Sequence, residues 1–370
     1  MRRSAPGSPS FCPPPRKKAF RKEAPPTKKK NNGLWNALIF ALILVGTVYG
    51  VFHGQDIGAL RQALGQCRTD WLILAAVFVV VSIACEAAAQ WLQQNSFGMS
   101  MGGMTCFQSA CVGFFFSAIT PSATGGQPMQ VYYMRKKGIP VSVTSVALLV
   151  IALFYKTVLV LAGAAMLIFA PGFLRASLGG YMFLFYIGLL LTGGWTVFLL
   201  FLIFRQRIAR AILVWGMTVL EELHILKDRE SHQTAFEVSM DLYQDAADHL
   251  RKHPLVMLGV FLCMIARRAA MYSVVWCVYK AMGLTGTGWS TLVLLQACVS
   301  ICADMLPLPG GMGISEALFV KAYGAVFGAS VLPGMILSRG IGHYSQLIFC
   351  GAVTLLVMLS LRRRNQPEED

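Results

Sequence analysis

Long uninterrupted apolar runs constrain this chain more than any other feature of its sequence. A hydrocarbon core needs about 20 apolar residues to be crossed by a helix, and six runs reach that length: 34–53, 71–92, 141–170, 181–204, 254–282 and 332–361. None of them alternates between apolar and polar residues, which argues against a transmembrane β-barrel. Only 13% of the residues are charged, too few to cover a water-soluble globule. The sequence therefore predicts an all-α integral membrane protein.

The N-terminal end of the chain differs sharply in composition from these runs. Residues 1–33 hold ten Lys and Arg residues against the single acid Glu23 and are rich in proline. Such a segment cannot bury a core, so we expect a disordered basic tail. A tail of this kind beside a first span favours the cytoplasmic side and anionic lipid. A nucleic-acid-binding arm is the alternative, and we expect no nucleic-acid partner.

The distribution of basic residues orients the predicted spans. Arg135-Lys136-Lys137, Arg205 and the run from Arg362 to Arg364 each follow an apolar segment, as cytoplasmic ends do. Residues 206–253 carry six basic and eight acidic residues, with Leu213, Met217, Leu220 and Leu223 at helical spacing. This segment is predicted to be a cytoplasmic amphipathic helical insertion. The transmembrane domain is thus 34–361, and both ends, including the short tail 362–370, are predicted on the cytoplasmic side of the plasma membrane.

Two further apolar segments are broken by glycine and proline. Segment 104–134 is interrupted at 120–128, which leaves about 16 residues before the break and fewer than ten after it, and segment 283–331 is interrupted at 307–313. Neither piece of the first segment is long enough for a comfortable crossing, and no basic flank marks a cytoplasmic end within the second. Re-entrant hairpins satisfy both the lengths and the charges. The prediction is six full transmembrane helices plus two re-entrant broken helices that enter from opposite faces, an eight-segment unit.

Irregular backbone at membrane depth needs protein or a water-filled cavity around it, so paired breaks in two halves point to a substrate site near the midplane. The second half of each hairpin begins a helix there, and its free N–H groups favour an anion such as a lipid phosphate. The candidate residues of the two breaks are Gly125, Gly126, Gln127, Pro309, Gly310, Gly311 and Gly313.

Ionisable residues inside the apolar runs supply a second set of candidates. The acids are Glu86, Asp304 and Glu316, and the bases are Lys156, Arg267, Arg268, Lys321 and Arg339, with His343 and Tyr132 as secondary candidates. Each charge costs about 2.5–3.5 kcal/mol at the centre of a membrane helix, so it needs a partner or an aqueous cavity. Bases outnumber acids, which suits an anionic headgroup. We expect Glu316 to pair with Arg339. The alternative is that these residues only form ion pairs between helices or extend to the membrane surface.

The sequence gives little support for nucleotide binding or metal binding. Gly310-Gly311-Met312-Gly313 lacks the spacing and the preceding strand of a nucleotide-binding loop. The sequence has no CxxC pair and no zinc-type spacing among its ten cysteines. We therefore expect no cofactor, no metal and no catalytic residue.

Two stretches resemble a known family. PSATGGQPMQVYYMRKKG at 121–138 and PLPGGMGISEALF at 307–319 resemble two signatures of the membrane region of lysylphosphatidylglycerol synthases. The resemblance implies an eight-segment unit over 34–361 that, in two-domain members, moves aminoacylated phosphatidylglycerol to the outer leaflet and contributes to resistance against cationic peptides. A soluble domain of those members makes the lipid from aminoacyl-tRNA. In the third span, where many members have an acidic–basic pair, this chain has only Lys156.

The leading hypothesis is a lipid flippase or translocase for a phospholipid with an anionic phosphate. The chain ends at Asp370, shortly after its last predicted span, so we expect no synthase domain. A phosphatidylglycerol lysyltransferase is one alternative. A non-transporting partner of a separate synthase or glycosyltransferase is another, and a homo-oligomer is left open.

Overall fold

The computed structural model describes residues 65–120, 123–205, 242–304 and 313–363. The predicted tail 1–33, the first predicted span 34–53 and most of the insertion 206–253 lie outside these residues. Within them the regular structure is entirely helical. The helices are α1 Thr69–Ser96, α2 Gly103–Ile119, α3 Gly126–Lys136, α4 Val141–Phe169, α5 Pro171–Leu178, α6 Met182–Phe204, α7 242–252, α8 Pro254–Ala281, α9 Trp289–Ala303, α10 Ile314–Phe327, α11 Val331–Arg339 and α12 Ser345–Arg363.

Five stretches of the described chain are long and apolar enough to cross a membrane. They are Thr69–Ser96, Val141–Phe169, Pro171–Ile203, Pro254–Ala281 and Ser315–Leu361. The last one is not a single straight helix. A 3₁₀ turn at Gly328–Ser330 separates α10 from α11, and a π-helical turn at Gly340–Tyr344 joins α11 to α12. The all-α membrane fold is confirmed, whereas six crossings with two re-entrant segments stay a prediction.

Helices α1 and α8 pack against each other in antiparallel orientation. At one end the Arg68 N–H donates to the carbonyl of Ala281, 2.8 Å away. At the other end a Cβ added to Gly259 would lie 3.3 Å from Cδ1 of Leu92. The start of α1 therefore lies beside the end of α8, and the reverse holds at the opposite end.

Two helical hairpins follow α1 and α8. The first hairpin is α2 and α3, and the second is α9 and α10. Each is closed by a tyrosine hydroxyl that bonds to a glutamine on the other limb: Tyr133 to Gln108 at 2.7 Å and Tyr323 to Gln296 at 3.0 Å. Because α1 and α8 are antiparallel, the two hairpins start at opposite ends of this pair.

The limbs of both hairpins are short. Helix α2 has 17 residues and α9 has 15, which correspond to about 25 Å and 22 Å at a rise of 1.5 Å per residue. Helix α1 has 28 residues and is therefore about 42 Å long. Limbs of these lengths that start at opposite ends bring both breaks near the middle of the bundle. The sequence prediction of fewer than ten residues after the first break was too short, because α3 has 11 residues and continues through Arg135 and Lys136.

The first break requires glycine for steric reasons. A Cβ on Gly126 would lie 1.9 Å from Oγ of Ser117 and 2.6 Å from the carbonyl oxygen of Gly113. The Gly125 N–H donates to Oγ1 of Thr120 at 2.9 Å, which closes the turn between the limbs. The two limbs can approach this closely only because neither glycine carries a side chain.

The described end of the insertion packs on the bundle. In α7 the buried side chains are Tyr243, Ala246, Ala247 and Leu250, at the spacing of one helix face. They belong to the same apolar core as parts of α1, α2, α4 and α8. Residues 242–252 are therefore helical and packed on the bundle, whereas residues 206–241, which include Leu213, Met217, Leu220 and Leu223, lie outside the described chain.

Lowering the pH from 7.5 to 5 is expected to loosen α7 from the bundle. Burial and the neighbouring His253 lower the pKa of His249 below its usual value of 6.5, and the two rings stack at 4.1 Å. The unfolded chain then binds more protons than the folded one as the pH falls below 6.5 towards the depressed pKa, so stability falls over that window. Hydrogen exchange of residues 242–252 measures this loosening, and His249→Phe is expected to reduce its pH dependence. Equal pH dependence in both proteins would contradict the assignment.

Candidate functional site

The ionisable residues inside the apolar helices lie near the helix centres. Glu86 is on α1, Lys156 on α4, and Arg267 and Arg268 on α8. A charge at this depth is costly without a partner. The structure provides partners from the two hairpins and from neighbouring helices, and it joins these residues into one polar region.

The first hairpin is connected to the α1–α8 pair through Glu86. Oε2 of Glu86 lies 2.7 Å from Nη2 of Arg267. Oε1 of Glu86 accepts a hydrogen bond from the Gln130 amide at 3.1 Å, and the same amide donates to the carbonyl of Ser109 at 3.2 Å. Gln130 lies on α3, one turn after the break. One carboxylate thus binds a cation of α8 and the returning limb of the first hairpin.

A glycine makes room for this connection. A Cβ on Gly113 of α2 would lie 2.3 Å from Cδ of Gln130. The Gln130 side chain therefore crosses α2 at a position where no other residue type leaves space. Its reach to Glu86 depends on this close packing.

The second hairpin is connected to α4. Asp304 directly follows the last residue of α9, where the second break begins. Its Oδ2 lies 2.8 Å from Nζ of Lys156, and the two side chains are 35% and 25% exposed. The pair therefore joins the centre of α4 to the first edge of the break and is partly exposed.

Glu316 organises the other edge of the second break. Its Oε2 accepts hydrogen bonds from the N–H of Gly313 at 2.7 Å and from Oγ of Ser315 at 3.1 Å, which caps α10. Its Oε1 accepts a hydrogen bond from Nε of Arg339 at 2.8 Å. The side chain of Glu316 is 5% exposed. The expected pair of Glu316 and Arg339 is present, and it ties the start of α10 to the end of α11.

The last helix meets both hairpins around the π-helical turn. Arg339 immediately precedes this turn, and His343 lies within it. The His343 ring lies 6.0 Å from the ring of Phe114 on α2. A π-helical turn is an irregularity that often occurs at functional sites, and here it lies between the first hairpin and the Glu316–Arg339 pair.

Arg268 differs from the other buried cations. Cζ of its guanidinium group lies 3.4 Å from the centroid of the Tyr155 ring, and Nη1 donates to the hydroxyl of Tyr272. Its Nε and Nη2 atoms are buried and have no hydrogen-bond partner among the described residues. Arg267 faces the same Tyr155 ring at 4.9 Å. The ring therefore lies between a paired guanidinium and an unpaired one.

The structure does not bring all sequence candidates together. Gln127 is exposed, and Tyr132 is exposed beneath Lys136, whose Nζ lies 5.7 Å from the ring centroid. Lys321 is exposed near Gly179. Gly125 and Gly126 shape the first break, and Gly313, with a φ of 84° that favours glycine, precedes α10. Pro309, Gly310 and Gly311 lie outside the described residues.

Sequence reasoning missed Gln130, Tyr155 and Tyr272. Gln130 follows Gln127 by nearly one helical turn, and recognising that α3 begins at Gly126 would have favoured the residue that faces back onto α2. Tyr155 precedes the only charged residue of its span, and Tyr272 follows Arg268 by one turn. Aromatic rings beside intramembrane cations were the available signal. Among the described residues, no three His, Cys, Asp or Glu side chains converge as a metal site would require.

Comparison with known proteins identifies the family. The family model of the lysylphosphatidylglycerol synthase TM region matches residues 34–350. An uncharacterized MG306 homologue from Mycoplasma pneumoniae is 25% identical over 114 residues, which are 30% of this chain and 29% of that relative. The chain thus matches less than a third of the length of that protein. With five membrane-compatible stretches and a family model over most of its length, this multi-pass membrane protein belongs to the lysylphosphatidylglycerol synthase TM region family.

Proposed function

We propose that this protein moves a phospholipid with an anionic phosphate between the leaflets of the plasma membrane. The observation that supports this most is the pair of hairpins that start at opposite ends of the α1–α8 pair and break beside ion pairs between apolar helices. A headgroup must pass the apolar centre of the bilayer, and a polar region at that depth lowers the barrier for it. In this proposal the hairpins are re-entrant, and both chain ends face the cytoplasm.

The ion pairs supply a mechanism for binding and release. Glu86 holds Arg267 and Gln130, Asp304 holds Lys156, and Glu316 holds Arg339. A phosphate offers the same cations an alternative partner with several acceptor oxygens. When the phosphate replaces a carboxylate, the contact that joins a hairpin to the long helices is lost. We infer that this exchange opens one side of the polar region. The region closes again when the lipid leaves and the carboxylate binds its cation once more.

Replacing Glu316 or Arg339 with alanine is expected to reduce lipid transfer at least about tenfold, a change equivalent to about 1.4 kcal/mol. Either change removes the contact between α10 and α11, and Glu316→Ala also removes the cap of α10. Proteoliposomes that contain a fluorescent phosphatidylglycerol, with chemical quenching of the outer leaflet, measure the transfer rate. Arg339→Lys keeps a cation for Glu316 and is expected to retain part of the rate.

The matched control is Lys321→Gln, which changes an exposed cation away from the breaks and is expected to leave transfer unchanged. Monodisperse elution and unchanged incorporation into vesicles must accompany each rate, because a misfolded variant also fails to transfer lipid. Wild-type protein that transfers no faster than Glu316→Ala would contradict the proposal.

The family name favours a second candidate, the synthesis of lysylphosphatidylglycerol. Incubation of the purified chain with phosphatidylglycerol and lysyl-tRNA, followed by lipid analysis, tests it directly. Product formation would replace translocation as the leading function. Co-purification with a synthase or glycosyltransferase, combined with no transfer by the chain alone, would instead identify a partner subunit.

A further inference from the structure

Arg268 is a buried cation whose hydrogen-bonding capacity is only partly used. The residue is 6% exposed. The ring of Tyr155 covers one face of its guanidinium group, and Nη1 donates to Tyr272. Nε and Nη2 find no hydrogen-bond partner in the described part of the chain. Unpaired buried donors of a charged group are costly, so they favour a polar partner such as water, an ion or a ligand.

The two unpaired atoms lie on the same edge of the guanidinium group. Nε and Nη2 present parallel N–H groups, and this fork matches two oxygens of one phosphate. Because Tyr155 covers the guanidinium face at 3.4 Å, a ligand has to approach in the plane of the group. The stacked ring and the bond to Tyr272 hold the fork in a fixed orientation, which reduces the entropy lost on binding.

The charges around the fork decide which headgroup suits it. Within the apolar runs of the described chain, each of the three acids holds a cation: Glu86 holds Arg267, Asp304 holds Lys156 and Glu316 holds Arg339. The remaining cations are Lys280 in the last turn of α8, the exposed Lys321 and the buried Arg268. No acid of this set is left for the ammonium group of a headgroup, whereas a guanidinium is left for a phosphate.

We infer that the site selects a phosphate lipid whose headgroup carries no cationic amine, and that Arg268 binds its phosphate through Nε and Nη2. This inference rests on the proposed translocation and names its substrate class. It differs from the aminoacylated lipid that the family name implies, because each of the three acids already holds a cation and an added ammonium would bring a further positive charge beside Arg268. Both atoms of the fork are covered in this conformation, so lipid binding requires the side chains packed around Arg268 to move.

Two measurements on the full chain test the inference. In proteoliposomes, the wild-type protein is expected to transfer fluorescent phosphatidylglycerol at least about tenfold faster than lysylphosphatidylglycerol or phosphatidylcholine. In detergent, intrinsic fluorescence titrations with dihexanoyl phosphatidylglycerol and dihexanoyl phosphatidylcholine are expected to differ in the same direction. Arg268→Gln is expected to abolish both preferences, and Arg268→Lys to keep the charge preference at a reduced rate because it lacks the fork.

Variants of Arg268 are suited to this test because the three described acids of the apolar runs form their salt bridges with other cations, so removing Arg268 breaks none of these bridges. Lys321→Gln again serves as the control and is expected to keep both preferences. Transfer of all three lipids at equal rates, unchanged in Arg268→Gln, would overturn the inference and leave translocation intact. Selective binding without transfer would support the headgroup assignment and refute the proposed translocation. Absence of both selective binding and transfer would overturn the two together.

Discussion

Replacing Arg267 with methionine is expected to lower the free energy of unfolding by about 3–5 kcal/mol, because it leaves a buried carboxylate without its cation. Glu86 is only 11% exposed in its side chain and lies 2.7 Å from Arg267. The remaining hydrogen bond from the Gln130 amide does not neutralise it. Equilibrium unfolding of the purified protein in mixed micelles measures the change.

The neighbouring residue provides a matched control. Arg268→Met alters the same residue type on the same helix and also removes a buried guanidinium, but no carboxylate loses an ion-pair partner. Its cost in unfolding free energy is therefore expected to be much smaller. The double variant Glu86→Gln with Arg267→Met removes both charges and is expected to recover most of the loss. Equal costs for the two methionine variants, or no recovery in the double variant, would contradict the pairing.

This comparison also separates structure from function. Arg267→Met is expected to reduce stability and, through the loss of the tie to Gln130, lipid transfer. Arg268→Met is expected to reduce transfer of an anionic lipid while stability changes little. Two adjacent arginines thus have different roles because their side chains point about 100° apart on the helix, one towards α1 and one towards Tyr155 and Tyr272.

The sequence could predict the helical architecture because the bilayer dictates it. Apolar length identified the stretches at α1, α4, α6 and α8, and glycine with proline located both breaks. Glu316 and Arg339 could also be paired in advance, because they are opposite charges in neighbouring apolar segments, only 23 residues apart. Local patterns of this kind depend only on the chain near each residue.

The partners of Glu86 and Lys156 could not be predicted in this way. Gln130 lies 44 residues from Glu86, and Asp304 lies 148 residues from Lys156. Contacts at such separations depend on how the hairpins pack, not on the pattern near either residue. The sequence also did not show which face of α3 is turned inward. The side chain of Gln127 is exposed, and that of Gln130 is buried instead.

Replacing Gly126 with alanine is expected to destabilise the first hairpin by about 1–3 kcal/mol, the usual cost of forcing an added methyl group into a packed site. The new Cβ would meet both Oγ of Ser117 and the carbonyl oxygen of Gly113, at 1.9 Å and 2.6 Å. The serine can rotate, but the carbonyl belongs to the backbone of α2. The limbs of the hairpin must therefore separate, and Gln130 is expected to lose its reach to Glu86.

Two other glycines show whether this separation is the cause. Gly103, at the start of α2, has nothing within 4 Å of an added Cβ, so Gly103→Ala is expected to be neutral or slightly stabilising through higher helix propensity. Gly113→Ala would displace only the flexible side chain of Gln130, so it is expected to cost less stability than Gly126→Ala but to reduce lipid transfer similarly. If Gly126→Ala were as well tolerated as Gly103→Ala in thermal unfolding, the limbs would not be packed as described. If Gly113→Ala kept full transfer, the contact between Gln130 and Glu86 would have no part in moving the lipid.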